Sequence, residues 1–112
     1  MPRASREYLA WNVGTDPVEV QRRVWQIEDT LRELNKSKRV SWFGKALNTP
    51  AELEEEALDV ERVHAMTGGT LPVIFLNVTF YVGEVTPQDL ANIEQQFGLQ
   101  LFGEFTEPDG GE

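Results

Sequence analysis

The sequence predicts an α/β domain, and three observations carry that prediction. Helix openings are written alike at Asp16-Pro17-Val18-Glu19, Thr49-Pro50-Ala51-Glu52 and Thr86-Pro87-Gln88-Asp89. Short runs rich in β-branched and aromatic residues precede each opening. Glycines at Gly68-Gly69 and Gly98 close the helical stretches. At 112 residues the chain is long enough for one core and too short for two. The expected division is an arm over residues 1–6, one domain over 7–105, and a polar, glycine-rich, acidic tail over 106–112, expected to be disordered.

Each helix opening has a physical reason. The capping Asp or Thr accepts an orphan backbone N–H, the proline sits where an N–H would be wasted, and the first-turn acid meets the positive end of the helix dipole. After the first opening, Val20, Val24, Ile27, Leu31 and Leu34 recur at steps of four and three, an apolar stripe on a helix reaching about Asn35. The second helix is expected over 50–66, with Leu53, Ala57 and Val60 inward and the acids Glu54, Glu55, Glu56, Asp59 and Glu61 mostly outward. The third carries Leu90, Ile93 and Phe97.

Strands are expected over 8–13, over 40–43, and as an antiparallel pair over 73–76 and 79–82. The order β-α-β-α-β-β-α then makes the first three strands mutually parallel and the last antiparallel. Its economical packing is a four-stranded mixed sheet in the order 2-1-3-4 with helices on both faces. Residues 100–105 are either a short added strand or an apolar tail lying back on the domain.

The composition excludes several classes. There is no cysteine, so disulfides, thiolate metal sites and thiol chemistry are all absent. No apolar run approaches the length of a membrane span, and Met1-Pro2-Arg3 leads into no export signal, so a cytoplasmic protein without membrane contact is expected. The net charge is −9, unevenly spread: residues 1–46 carry net +3 and residues 47–112 net −12. Such a split can orient a charged partner, or can serve solubility alone.

Catalytic candidates are few. The only histidine, His64, lies on the second helix, and no nucleophile elbow, phosphate-binding loop, dinucleotide fingerprint or metal-ligand spacing occurs. Asp16 and Glu19 share one helix face as a carboxylate pair, but capping and the helix dipole account for both. Nucleic-acid binding would have to use Arg22, Arg23, Arg32, Lys36, Lys38, Arg39 and Lys45, against the overall acidity and without interleaved aromatics. Aromatic residues are the better sign of interaction. Trp25 falls off the apolar stripe of the first helix, and Trp42 alternates with Phe43 on a strand expected at the sheet edge. Trp25 either meets a partner or packs on Phe102 or Phe105.

The segment Thr70-Leu71-Pro72-Val73-Ile74-Phe75, with Val82-Gly83 after the expected hairpin, resembles the glutaredoxin branch of the thioredoxin-like superfamily over roughly residues 7–98. The resemblance implies that Leu71–Pro72 is cis, with backbone groups free to pair with an extended peptide. It also implies that Asp16-Pro17-Val18-Glu19 stands where the C-P-x-C motif would, an acid in place of each cysteine. A carboxylate cannot exchange disulfides, so the resemblance implies a redox-inactive member. Gly83 is followed by Glu84 where glutathione-binding relatives carry a second glycine.

The function these features suggest is a redox-inactive interaction module, binding a protein or peptide or a second copy of itself, with no cofactor, metal or nucleic acid. Its expected binding residues are Asp16, Pro17, Glu19, Thr70, Leu71, Pro72, Thr86, Trp25 and Trp42. The alternative is a binder or transferase of a small, glutathione-like ligand held by the N-terminus of the first helix and Leu71-Pro72.

Overall fold

A computed structural model describes residues 2–107. Its elements are β1 (Arg3–Ala10), α1 (Pro17–Asn35), β2 (Val40–Leu47), α2 (Pro50–Glu55), α3 (Val60–Thr67), β3 (Val73–Tyr81), α4 (Pro87–Phe97) and β4 (Gln100–Glu107). The three helix openings fall where the capping chemistry puts them. Asp16 accepts from the Val18 N–H, and Thr49 and Thr86 form capping boxes with Glu52 and Asp89. α4 stops at Gly98, which takes the left-handed conformation.

The expected second helix is instead two. α2 ends in a left-handed Ala57 with φ 60°. The Ala57 N–H donates to the Glu54 carbonyl and the Leu58 N–H to the Leu53 carbonyl, the paired bonds of a Schellman stop. Leu58 is thereby turned into the core beside Leu53, and Asp59 caps α3. Ala57, expected inward, is exposed.

β1 also differs from expectation. It occupies residues assigned to the arm and stops at Ala10, because Asn12 (φ 64°) and Gly14 (φ 86°) leave extended geometry. The Leu71–Pro72 peptide is cis.

The expected hairpin at Asn77-Val78 is absent. Neither residue adopts positive φ, and residues Val73–Tyr81 form one unbroken strand. That strand takes a central place, pairing antiparallel with β1 (Leu9 opposite Phe75) and with β2 (Lys45 opposite Phe75). The fourth strand is β4, antiparallel to β1, so the segment left open as strand or tail is a strand. The sheet order is β2-β3-β1-β4 with every neighbour antiparallel, rather than a mixed 2-1-3-4 sheet. Each strand-helix-strand unit thus encloses a strand of the other, two interleaved split β-α-β units. Thr106 and Glu107, expected in the tail, pair with Ala4 and Arg3 at the end of β4; the rest of that tail, 108–112, lies outside the described residues.

Helices cover both faces. α1 and α4 bury Val20, Val24, Ile27, Leu31, Leu90, Ile93 and Phe97 against Tyr8, Ile74, Leu76, Val78 and Phe80. On the other face, Leu53, Leu58 and Val63 of the α2–α3 segment close over Leu9, Leu47, Val73, Phe75 and Phe102. Burying a large aliphatic side chain is worth about 1.5–3 kcal/mol, so these two layers hold the sheet.

Candidate functional site

The two outer strands are β2 and β4, and they are protected differently. β4 carries a bulge opposite Glu7/Tyr8 and presents Glu104 to Arg6 of β1. Bulges and charges blunt an edge. β2 pairs with β3 in unbroken register over its whole length and contains no proline. Its single charge, Lys45, is held 3.1 Å from Glu56. The outer side of β2 is therefore a straight, weakly guarded row of backbone donors and acceptors.

Beside that edge, α1 and β2 form a groove of about 430 Å³ lined by Pro17, Val20, Gln21, Val24, Glu28 and the strand residues 43–46. Three of the large exposed apolar residues lie near this edge: Val18 (65% exposed) and Trp25 (59%) on α1, next to the lining residues Pro17 and Val24, and Phe43 (46%) on β2, whose ring turns to the opposite face of the sheet. Their grouping follows from helix geometry. Val18, Trp25 and Arg32 are seven residues apart and so lie on one line along α1. The Arg32 guanidinium sits 6.0 Å from the centre of the Trp42 ring, which places that line on the β2 side. Gln21 and Glu28, which line the groove, stand four before and three after Trp25, adjacent to it on the helix surface. Phe43 packs edge-on to Phe75, ring centres 6.3 Å apart, and keeps its outer half in solvent.

The expected site residues separate into groups. Asp16 is a cap and is exposed; Glu19 pairs with Arg22 at 2.7 Å on the surface; Pro17 lines the groove. Trp25 is exposed on the groove rim, and Phe102 belongs to the core on the opposite face. Trp42 is half-buried against the α1-side core, so the exposed aromatic of β2 is Phe43. Thr70 is exposed, Leu71 and Pro72 are half-buried, and Val73 pairs at once with Leu47, so this strand end offers no open edge. Leu71 instead walls a small cavity of about 100 Å³ with Pro50, Leu53, Val60, Val63 and His64. Leu71 packs into the α2–α3 core whereas α1 packs into the other, so Leu71 and the α1 N-terminus address opposite faces. Thr86 caps α4 and borders a cleft of about 280 Å³ with Ala4, Phe80 and Leu90.

Sequence reasoning missed Gln21 and Glu28. Their only signal is their spacing from Trp25, which gains meaning once α1 is laid against β2.

The charges are largely spent within the chain. Lys38 binds Asp89 at 2.6 Å and Arg39 binds Glu84 at 2.9 Å, and these contacts, hydrogen bonds first, hold both carboxyls below their ordinary range. Arg39 also stacks on Tyr81, 4.2 Å from the ring centre. Arg22, Arg32, Lys36 and Lys45 likewise hold carboxylates, and Arg23 donates to the Phe97 carbonyl. All seven cations weighed for nucleic acid have partners inside the domain. Tyr8 is buried and donates to Glu94, and burial first, then that bond, raises its phenol far above the ordinary value. A phenol so shifted is no base at neutral pH. Among the described residues no group of three or more His, Asp or Glu side chains is placed to hold a metal, and no helix is long and apolar enough to cross a membrane. Compared with protein-family models, curated proteins and solved structures, the chain matches none.

Proposed function

We propose that this chain is a protein-interaction module that receives an extended segment of a partner along the outer edge of β2. The observation that carries the reading is the coincidence of an unguarded eight-residue edge strand with exposed apolar side chains on both sides of it, Val18 and Trp25 on the α1 side and Phe43 on the α2–α3 side. Main-chain pairing supplies affinity in strand addition, and pockets beside the strand read alternate side chains. Trp and other aromatics supply hot spots at such sites. The absence of cysteine removes thiol exchange as a competing role.

A selection of displayed peptides on the immobilised chain tests this. The expected ligands alternate apolar and polar residues and lose about tenfold or more in affinity for Trp25→Glu and Phe43→Glu. Ligands that bind both variants as well as the parent chain would place the binding surface elsewhere.

A further inference from the structure

We infer that the partner strand is β2 of a second copy, the two chains joining about a two-fold axis into one eight-stranded antiparallel sheet. This rests on the reading of the β2 edge above and names its occupant.

A strand paired antiparallel with itself has one centre, and α1 must obey the same axis. Val24 Cγ1 lies 4.0 Å from where a Cβ on Gly44 would stand, so the middle of α1 sits over the middle of β2. An axis that sets Gly44 against Gly44 of the second copy therefore brings the two α1 helices antiparallel about Trp25. Positions equally far from Trp25 then face each other: Val18 meets Arg32, Gln21 meets Asp29, and Arg22 meets Glu28. The surface is thus complementary to itself, as an isologous interface requires.

Glu28 supplies an independent sign. It is half-buried in the groove wall and has no hydrogen bond or ion pair with any described residue. A half-buried carboxylate without a cation is unfavourable, and Arg22 of the second copy would answer it. The present partner of Arg22, Glu19, is more than half exposed, so that bond is weak and easily exchanged. The charge split points the same way. The net −9 would push copies apart, but every charged residue of α1 and β2 falls within residues 1–46, which carry net +3, and the acidic remainder begins only at Leu47, the last residue of β2.

Sedimentation of the full chain from about 1 μM to about 500 μM is the test. The parent should form a dimer in this range. Arg22→Glu and Glu28→Arg should each weaken it about tenfold or more, while the double variant Arg22→Glu/Glu28→Arg, which reverses each cross-axis pair, should recover to within about threefold of the parent. Both positions are outside the buried stripe, and circular dichroism checks that each variant is folded. Because the chain has no cysteine, Trp25→Cys should also oxidise to a covalent dimer, and Asn92→Cys on α4 should not. A parent that stays monomeric, or a dimer insensitive to the swaps, or a double variant as weak as the singles, overturns the inference. A monomer that still binds selected peptides through Phe43 would leave the edge as a binding site and remove only the second copy; a chain that does neither removes both.

Discussion

Tyr8 of β1 donates its phenolic hydrogen to Glu94 Oε2 of α4 at 2.8 Å, the side chains meeting at the inner face of the sheet. The same carboxylate lies 3.7 Å from Arg6, which binds Glu104 of β4 at 3.0 Å, so one small network ties β1, α4 and β4 together. Removing the hydroxyl in Tyr8→Phe should cost about 1 kcal/mol, since Glu94 keeps access to water.

The same contact sets an alkaline limit. Tyr8 is held above the ordinary tyrosine value of 10.0, mainly by burial. Below that value the phenol is protonated in both folded and unfolded chains, and its contribution is complete. Above it the unfolded chain releases the proton and the folded chain does not, so stability falls as pH rises further. Denaturant melts above about pH 10 should show this loss, and Tyr8→Phe should lessen it. An equal loss in both proteins would assign alkaline unfolding to other groups.

At the acid end the relevant pair joins the entrance of β2 to α4. The Asp89 carboxyl is lowered first by the hydrogen bond from Lys38 and then by the backbone N–H of Thr86. A depressed folded value stabilises the chain above the ordinary carboxylate range, and that contribution is lost as pH falls through the folded value. Lys38→Met should therefore weaken the chain near neutral pH and flatten its decline in acid. Urea midpoints that decline in parallel for both proteins would count against this link.

Asp16 makes a sharper distinction between structure and recognition. Its Oδ1 accepts the Val18 N–H at 3.0 Å, and it is exposed. Asp16→Asn should be nearly neutral and Asp16→Ala should cost about 1 kcal/mol, because asparagine caps as well as aspartate. Both should retain peptide binding at β2. Loss of binding in a fully stable Asp16→Asn would make the carboxylate itself part of the site.

Much of the fold was legible wherever the cause was local. The three openings at Asp16, Thr49 and Thr86 depend on capping within one turn, and the stripe Val20, Val24, Ile27, Leu31 depends on helical period alone. The sheet order was not legible, because it turns on Asn77. A polar residue after Leu76 reads as the start of a turn, yet Asn77 alternates with buried Leu76 and Val78 on a central strand and faces the less apolar side between Glu7 and Phe43. With the hairpin removed, β1 moves to the other side of β3, and the edge that β2 offers becomes part of a different sheet. The β2 aromatics were visible as interaction candidates, but which of them is exposed was not. Trp42 and Phe43 differ by one residue, and the strand's period of two sends one toward α1 and leaves the other half in solvent.

Ala57 tests the other misreading, the continuous helix over 50–66. Glutamates at 54, 55 and 56 favour helix, and no glycine or proline marks a stop before Gly68. The stop is imposed from outside the helix, because Leu58 reaches the core beside Leu53 only if the chain turns at Ala57. The left-handed conformation costs an alanine about 1–2 kcal/mol, and glycine takes it without that penalty while losing about 0.5–1 kcal/mol through the freer unfolded chain. Ala57 is exposed, so its methyl group contributes little packing. Ala57→Gly should therefore stabilise the protein by about 0.5 kcal/mol or more and raise Tm by a few degrees. Ala57→Val, which adds β-branching to the same backbone, should lower it. A glycine variant less stable than the parent would show that the helix-favouring side of residue 57 outweighs its strain, and that the break between α2 and α3 is held by other contacts than this turn.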